Sequence, residues 1–289
     1  MIDVKDFDLG LSFESGQPLT FHADYSRKGH VESLTYSTIS GEIRIRSMAR
    51  GRSTRVYAIG KGYSCAAAEE EVVRRFGLDE DLGRIYARMN TDPFMERAIA
   101  EMAGMRLTRN DPWETTLCFI ISQFNNIKRI RLIVGNMKGA FGEKVALDDG
   151  RSIRLFPRPE ALARAGLGKI RACGTGFRDR YIQNAAREWI ARPWLAELSK
   201  LPYDEAKEAL LELDGIGDKV ADCILLFGYG KREAFPIDTW IKRIVEHVYF
   251  NGRRKRVEQI HRFADRRWPG VQGYAQQYLF WFGRQSKVG

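Results

Sequence analysis

Residues 7 to about 60 alternate apolar and polar positions in short runs: Leu9-Gly10-Leu11-Ser12-Phe13, Leu19-Thr20-Phe21-His22-Ala23 and Glu42-Ile43-Arg44-Ile45-Arg46. The turn signals Glu14-Ser15-Gly16-Gln17-Pro18 and Ser40-Gly41-Glu42 separate them. A period of two puts successive side chains on opposite faces of a strand, so this stretch predicts an antiparallel sheet. From about Ala66 the period lengthens, with apolar residues at Val72, Val73 and Phe76 and then at Leu82, Ile85, Tyr86 and Met89. That is the spacing of a helix face, and most of the remaining chain reads the same way. Helices are predicted to start at Asp111-Pro112, where a carboxylate can accept from free N–H groups and proline suits the first turn, and at Pro202-Tyr203-Asp204-Glu205. The change of period near residue 70 predicts an α+β fold in two domains: an antiparallel sheet over residues 1–70 packed on a helical body over residues 71–289.

With 289 residues, 44% of them hydrophobic and 11% aromatic, the chain can bury a sizeable core, which excludes disorder and collagen-like repeats. No apolar run approaches the roughly 20 residues of a membrane helix. The opening Met1-Ile2-Asp3-Val4-Lys5-Asp6 has no charged-then-apolar leader. Both features predict an intracellular protein with no membrane partner, cytoplasmic or in the nucleoid if the source is prokaryotic. Cys65, Cys118, Cys173 and Cys223 are scattered, without the close pair that clips zinc or an iron–sulfur cluster, so reduced thiols and no metal are expected. A net charge of +10 favours a polyanionic partner through counterion release, although a solvated cationic surface accounts for it equally well.

The segment Leu211-Glu212-Leu213-Asp214-Gly215-Ile216-Gly217-Asp218-Lys219-Val220-Ala221-Asp222-Cys223 changes that balance. A helix ending in Leu-Asp-Gly-Ile-Gly and followed at once by a second amphipathic helix describes a helix–hairpin–helix at about residues 204–226. Gly215 and Gly217 allow the positive φ and close approach that a phosphate-gripping hairpin needs, and the second helix offers free N–H groups; Gly215 as a plain helix C-cap is the alternative. Lys219 falls in the first turn of that helix, where the dipole disfavours a cation and so favours the neutral, nucleophilic amine. An ordinary exposed lysine is the alternative there. Further on, Pro236-Ile237-Asp238 places a carboxylate at a helix N-cap, from which it can also stabilise positive charge at an anomeric carbon and move protons.

Gly-Ile-Gly-x-Lys-Val-Ala-Asp-Cys followed by Pro-Ile-Asp resembles the helix–hairpin–helix (HhH-GPD) DNA glycosylase superfamily, specifically its 8-oxoguanine DNA glycosylase/lyase branch. Asn110 to Glu114, Ser122 to Ile130, Gly174 to Tyr181 and Gly273 to Phe280 fit the same branch in the same order, and Ser15-Gly16-Gln17 fits its N-terminal sheet domain. The resemblance implies an active cleft between helical subdomains and base excision of 8-oxoguanine from double-stranded DNA. It also implies strand cleavage by β-elimination, with no cofactor and a monomeric enzyme. In its terms Lys219 attacks the sugar and Asp238 assists. Gln276 hydrogen-bonds the Watson–Crick edge of an extruded base, Phe280 and Cys223 sandwich its ring, and the Gly16 carbonyl accepts the N7 hydrogen that separates 8-oxoguanine from guanine. Core residues, a surface amide and a turn glycine are the ordinary readings of those positions.

The chain also departs from the branch. Phe124-Asn125-Asn126 stands where three asparagines are common, which removes the amide expected to hold the orphaned cytosine, and Phe177 replaces a wedging tyrosine. Trp240 replaces a histidine expected at the phosphate backbone. Arg129 and Arg178 remain, and their guanidinium forks are expected to reach the orphaned base or nearby phosphates. Cytosine is therefore expected opposite the lesion with weaker discrimination. An alkylated-purine glycosylase of the same fold and a non-catalytic helix–hairpin–helix DNA-binding module are the alternatives. An endonuclease III-like enzyme is disfavoured because no cysteine follows Cys223. Arg253-Arg254-Lys255-Arg256 reads as a solvated helix face, a phosphate track or a localisation signal, His247 as a core residue, and Trp113, Trp189, Trp194, Trp268 and Trp281 as packing.

Overall fold

The computed structural model describes residues 1–17, 20–28, 30–50, 53–146 and 152–286. Pro18 and Leu19, in the first turn and the second run, lie outside them. Strands β1 (Ile2–Lys5), β2 (Phe21–Tyr25), β3 (Val31–Ser37), β4 (Glu42–Arg50) and β5 (Ser53–Lys61) form one antiparallel sheet of order β1-β5-β4-β3-β2. Its inner face presents Leu34, Tyr36, Ile43, Ile45 and Val56, the alternate positions that the period of two predicts.

Leu9 to Phe13 is an exception to the strand reading, because it forms helix α1 (Leu9–Glu14). Leu9, Ser12 and Phe13 lie three and four positions apart and are buried together, and the Asp8 carboxylate caps the helix by accepting from Leu11 N at 2.8 Å. A short alternating run containing that spacing satisfies both periods, and the cap decides between them.

Helix α2 (Cys65–Phe76) starts at the predicted change of period, yet it buries Ala68, Val72 and Phe76 in the sheet's own apolar cluster. The separate cluster of the helical body begins at Leu82. That body comprises α3 (Leu82–Met89), α4 (Pro93–Glu101), α5 (Pro112–Ser122), α6 (Ile127–Phe141), α7 (Pro159–Ala163), α8 (Leu167–Ile170), α9 (Asp179–Ala191), α10 (Tyr203–Leu211), α11 (Asp218–Tyr229), α12 (Thr239–Phe250), α13 (Val257–Arg267) and α14 (Gln272–Gln285). A small hairpin of β6 (Lys144–Ala146) and β7 (Ser152–Arg154) interrupts the helices, which the pattern did not foretell.

Helix α11 is not amphipathic as expected, since Val220 to Tyr229 are all buried. It is the central helix of the body and packs on α5, where the Phe119 and Phe227 rings stack at 5.7 Å. Two packing expectations also fail: His247 points to solvent and Trp194 is 47% exposed.

Candidate active site

The two helices of the hairpin meet at Gly215, which adopts φ +80° against the face of Tyr181. A Cβ there would lie 2.5 Å from that ring, so the position requires glycine for space as well as for conformation. Gly217 differs from the expectation: it is the N-cap of α11 at φ −100°, an ordinary extended value, with open space around it. No side chain caps the N-terminus of α11. Its dipole end and first N–H groups are therefore available to an anion.

Lys219 lies in the first turn of α11, and Cys223 follows four residues later on the same face. Both line a pocket with Asp238, Gln276, Phe280 and Gly16. The pocket thus combines the hairpin helix, the loop before α12, helix α14 and a loop of the sheet domain. It lies between the sheet domain and the helical body, not only between helical subdomains. Ser15, Gln17, Phe119, Phe227, Pro236 and Gln277 complete its lining. None of these six was predicted. Phe119 and Phe227 sit in apolar runs that give no phase, and the two glutamines act across distances that sequence spacing does not report.

Lys219 Nζ stands 5.5 Å from the centroid of the Phe119 ring, and its charge acts on the Cys223 thiol four residues along the helix. Burial pushes that thiol up to about 11; the Lys219 charge pulls it down, and Asp222 and Asp238 add to the rise. Asp238 accepts from Ile241 N at 2.7 Å, which fixes its carboxylate as the cap of α12 at the pocket's edge. Gln276 is buried, and its Oε1 has no partner among the described residues. A buried amide oxygen without a partner costs free energy, and the residue that carries it is also part of the pocket lining.

Gly16 adopts φ +84°, and a Cβ there would come within 2.7 Å of Ile127 Cδ1. The loop is held by two glutamines. Gln17 donates to Arg106 O at 2.7 Å and accepts from Thr108 N at 2.9 Å, while Gln277 donates to Ser15 O at 2.9 Å.

A groove lined by Ser122, Asn125, Asn126, Lys128, Trp240 and Arg284 opens from the pocket and shares Gly16, Phe119, Lys219, Asp238 and Phe280 with it. Asn125 donates its amide hydrogen to Ile121 O at 3.1 Å, at the end of α5. Beyond it, Phe124 is 94% exposed and holds φ +49°, a region that non-glycine residues rarely occupy. The Phe177 ring is also exposed and meets Phe124 edge to face at 6.4 Å.

Arg129 is exposed, as expected of a group that reaches outward. Arg178 is not: its guanidinium is buried and donates to the carbonyls of Thr175, at 3.1 Å, and Gln123. It ties the Phe177 turn to the Phe124 loop. A planar fork with several donors suits backbone oxygens as well as phosphates, so sequence alone does not separate the two uses. Arg253 to Arg256 form the exposed or half-exposed turn between α12 and α13, not a helix face.

Among the described residues, no helix is long and apolar enough to cross a membrane, and no group of three or more His, Cys, Asp or Glu is placed to hold a metal ion. The arrangement brings an amine, a carboxylate fixed at a helix cap, a thiol, an aromatic ring and an amide to the walls of one pocket. It suits a planar heterocycle attached to an electrophilic carbon.

Residues 117–270 match the family described as HhH-GPD superfamily base excision DNA repair protein, and residues 1–116 match the 8-oxoguanine DNA glycosylase N-terminal domain. The chain is 28% identical to a probable N-glycosylase/DNA lyase of Methanothermobacter thermautotrophicus, over 99% of this chain and 96% of the relative. Among solved structures it is similar to MBOgg1 in complex with a low-affinity DNA ligand, at 32% identity and TM-score 0.86, covering 98% of this chain and 94% of the other. It is similar also to the Clostridium acetobutylicum 8-oxoguanine glycosylase/lyase in complex with double-stranded DNA containing cytosine opposite 8-oxoG, at 26% identity and TM-score 0.85, covering 98% and 93%.

Proposed function

Because the chain belongs to the HhH-GPD superfamily of base excision DNA repair proteins, we propose that it is a DNA glycosylase/lyase that removes 8-oxoguanine from duplex DNA and cuts the strand at the resulting site. The observation that carries this reading is the meeting of Gly16, Lys219, Cys223, Asp238, Gln276 and Phe280, drawn from distant parts of the chain, around one pocket. Gln276, whose buried oxygen has no partner among the described residues, supplies the amide in that lining.

The uncapped start of α11 and the Gly215 turn hold the phosphate backbone without reading sequence. The lesion nucleotide leaves the stack, and its ring enters between Cys223 and Phe280. Stacking and the Gln276 amide offset the few kcal/mol lost on unstacking. The Gly16 carbonyl accepts the N7 hydrogen that guanine lacks. Lys219 Nζ attacks C1′ of the sugar, the C1′–N9 bond breaks, and the purine leaves with its bonding electrons. Asp238 stabilises the positive charge that develops at C1′ and moves protons. The nitrogen gives up a proton, the C1′–O4′ bond breaks as O4′ takes one up, and the opened sugar is left joined to the lysine as a Schiff base. The imine accepts electron density as a C2′ proton is lost, and the C3′–O bond breaks by β-elimination. The chain's own amine supplies the electron sink, so this route requires no cofactor.

Phe124 and Phe177 occupy the gap left by the extruded base and stack on what remains. Neither ring donates a hydrogen bond, so cytosine opposite the lesion is accepted without the discrimination that an amide would give. Arg129, exposed beside them, contributes charge to the DNA-facing surface. The protein works as a monomer, since one chain holds every group this chemistry uses.

The experiment is to incubate the protein with duplexes carrying 8-oxoguanine, guanine or an alkylated purine, and to measure free base and strand cleavage separately. Release of 8-oxoguanine with cleavage supports the reading. Release of alkylated purine without cleavage favours the alkylpurine enzyme, and salt-dependent binding without either product leaves a DNA-binding module.

A further inference from the structure

One turn beyond Lys219 on α11, the Asp222 carboxylate is buried and turned away from the pocket. Tyr203 of α10 donates to its Oδ1 at 2.5 Å, and Lys207 Nζ lies 3.0 Å from the same oxygen. His261 of α13 places Nε2 3.5 Å from Oδ2. Burial raises this carboxyl, but the facing His261 imidazole, the charge of Lys207 and the Tyr203 hydroxyl outweigh it and hold the group below its ordinary value.

The same His261 nitrogen lies 3.1 Å from the carbonyl of Phe235, three residues before Asp238. Helix α13 holds that segment a second time at its C-terminal end, where Trp268 stacks on the Phe235 ring at 6.1 Å and 13°. One imidazole nitrogen therefore stands between the carboxylate beside the lysine-bearing turn and the backbone that leads into the aspartate. None of these groups touches the pocket.

We propose that His261 is a positioning residue that sets the distance between Lys219 and Asp238, its Nε2–H shared between Asp222 and the Phe235 carbonyl so that the hairpin helix and the aspartate loop are fixed as one unit. The inference rests on the reading of Lys219 as an amine nucleophile. Acceptors on both sides require the tautomer with hydrogen on Nε2. A group of similar length that lacks a donor would let the Phe235–Asp238 segment drift from α11, and displacement of a catalytic group by about 1 Å costs on the order of a hundredfold in rate.

The test compares His261→Met with His261→Gln, which have similar length but of which only glutamine can place a donor where Nε2 stood. A duplex with a preformed abasic site is used, and the rate of borohydride-trappable imine formation is followed under single turnover. Affinity for a duplex with a non-reactive abasic analogue is measured beside it. The Met variant should form imine about tenfold to a hundredfold more slowly with unchanged affinity, and the Gln variant should recover most of the rate. A Met variant as fast as wild type, or Met and Gln variants equally slow with affinity lost in parallel, would overturn the proposal. Asp222→Asn gives a second route if the Met variant does not fold: slower imine formation at unchanged affinity supports it, and an unchanged rate refutes it. A wild-type protein that forms no imine on the abasic duplex would instead defeat the reading of Lys219, before any variant is compared.

Discussion

Gln277 donates its side-chain hydrogen to the backbone carbonyl of Ser15 at 2.9 Å, across 262 residues of sequence. This bond fastens the sheet-domain loop that carries Gly16 to the helix that carries Gln276 and Phe280. Two walls of the pocket thereby become one rigid frame, although they belong to opposite ends of the chain.

Gln277→Leu keeps the side chain's bulk but leaves the Ser15 carbonyl buried without its donor, at a cost of about 1–3 kcal/mol. Thermal unfolding should show that loss. The single-turnover preference for 8-oxoguanine over guanine should fall as the Gly16 carbonyl loses its fixed place. A variant with full selectivity would show that the loop is held by other contacts.

Phe124→Asn should sharpen opposite-base selectivity. Asparagine tolerates the left-handed backbone at this position better than phenylalanine does, and its amide restores a donor and an acceptor beside the orphaned base. Stability should change by no more than about 0.5 kcal/mol, because the ring is almost wholly exposed. Single-turnover excision opposite each of the four bases should show a small preference for cytosine in the wild type and a larger one in the variant. An unchanged profile would place the discrimination elsewhere.

The Cys223 thiol, raised from 9 to about 11 by burial, predicts a pH dependence of stability. Its folded value exceeds its unfolded one, so the folded state holds the proton more tightly. The contribution is complete below about pH 9 and is lost as pH rises through about 11. Denaturant unfolding of wild type should therefore weaken more steeply over that window than unfolding of Cys223→Ala. Parallel slopes would contradict the assignment.

Much of the site was legible in the sequence because its signals are local. The Lys219 position in the first turn of α11 and the Asp238 N-cap follow from Gly-Ile-Gly and Pro-Ile-Asp, where glycine, proline and a capping carboxylate leave few backbone choices. Gly16, Gln276 and Phe280 were reached only through resemblance, since no spacing relates residue 16 to residue 276. Gln17, Gln277 and Phe119 were missed because an uncharged amide or one more aromatic in an apolar run carries no sign of its distant partner. Leu9 to Phe13 was misread because five residues can satisfy two periods at once. Arg178 turned inward because two backbone carbonyls lay within its reach.

Lys219→Gln tests the central claim most directly. Wild type and variant are incubated with a duplex bearing 8-oxoguanine opposite cytosine in the presence of borohydride, and covalent adduct, free base and lesion binding are measured together. The account predicts an adduct for wild type, and for the variant retained lesion binding with neither adduct nor base release. Undiminished trapping by the variant would show that another amine carries the reaction and would contradict the account.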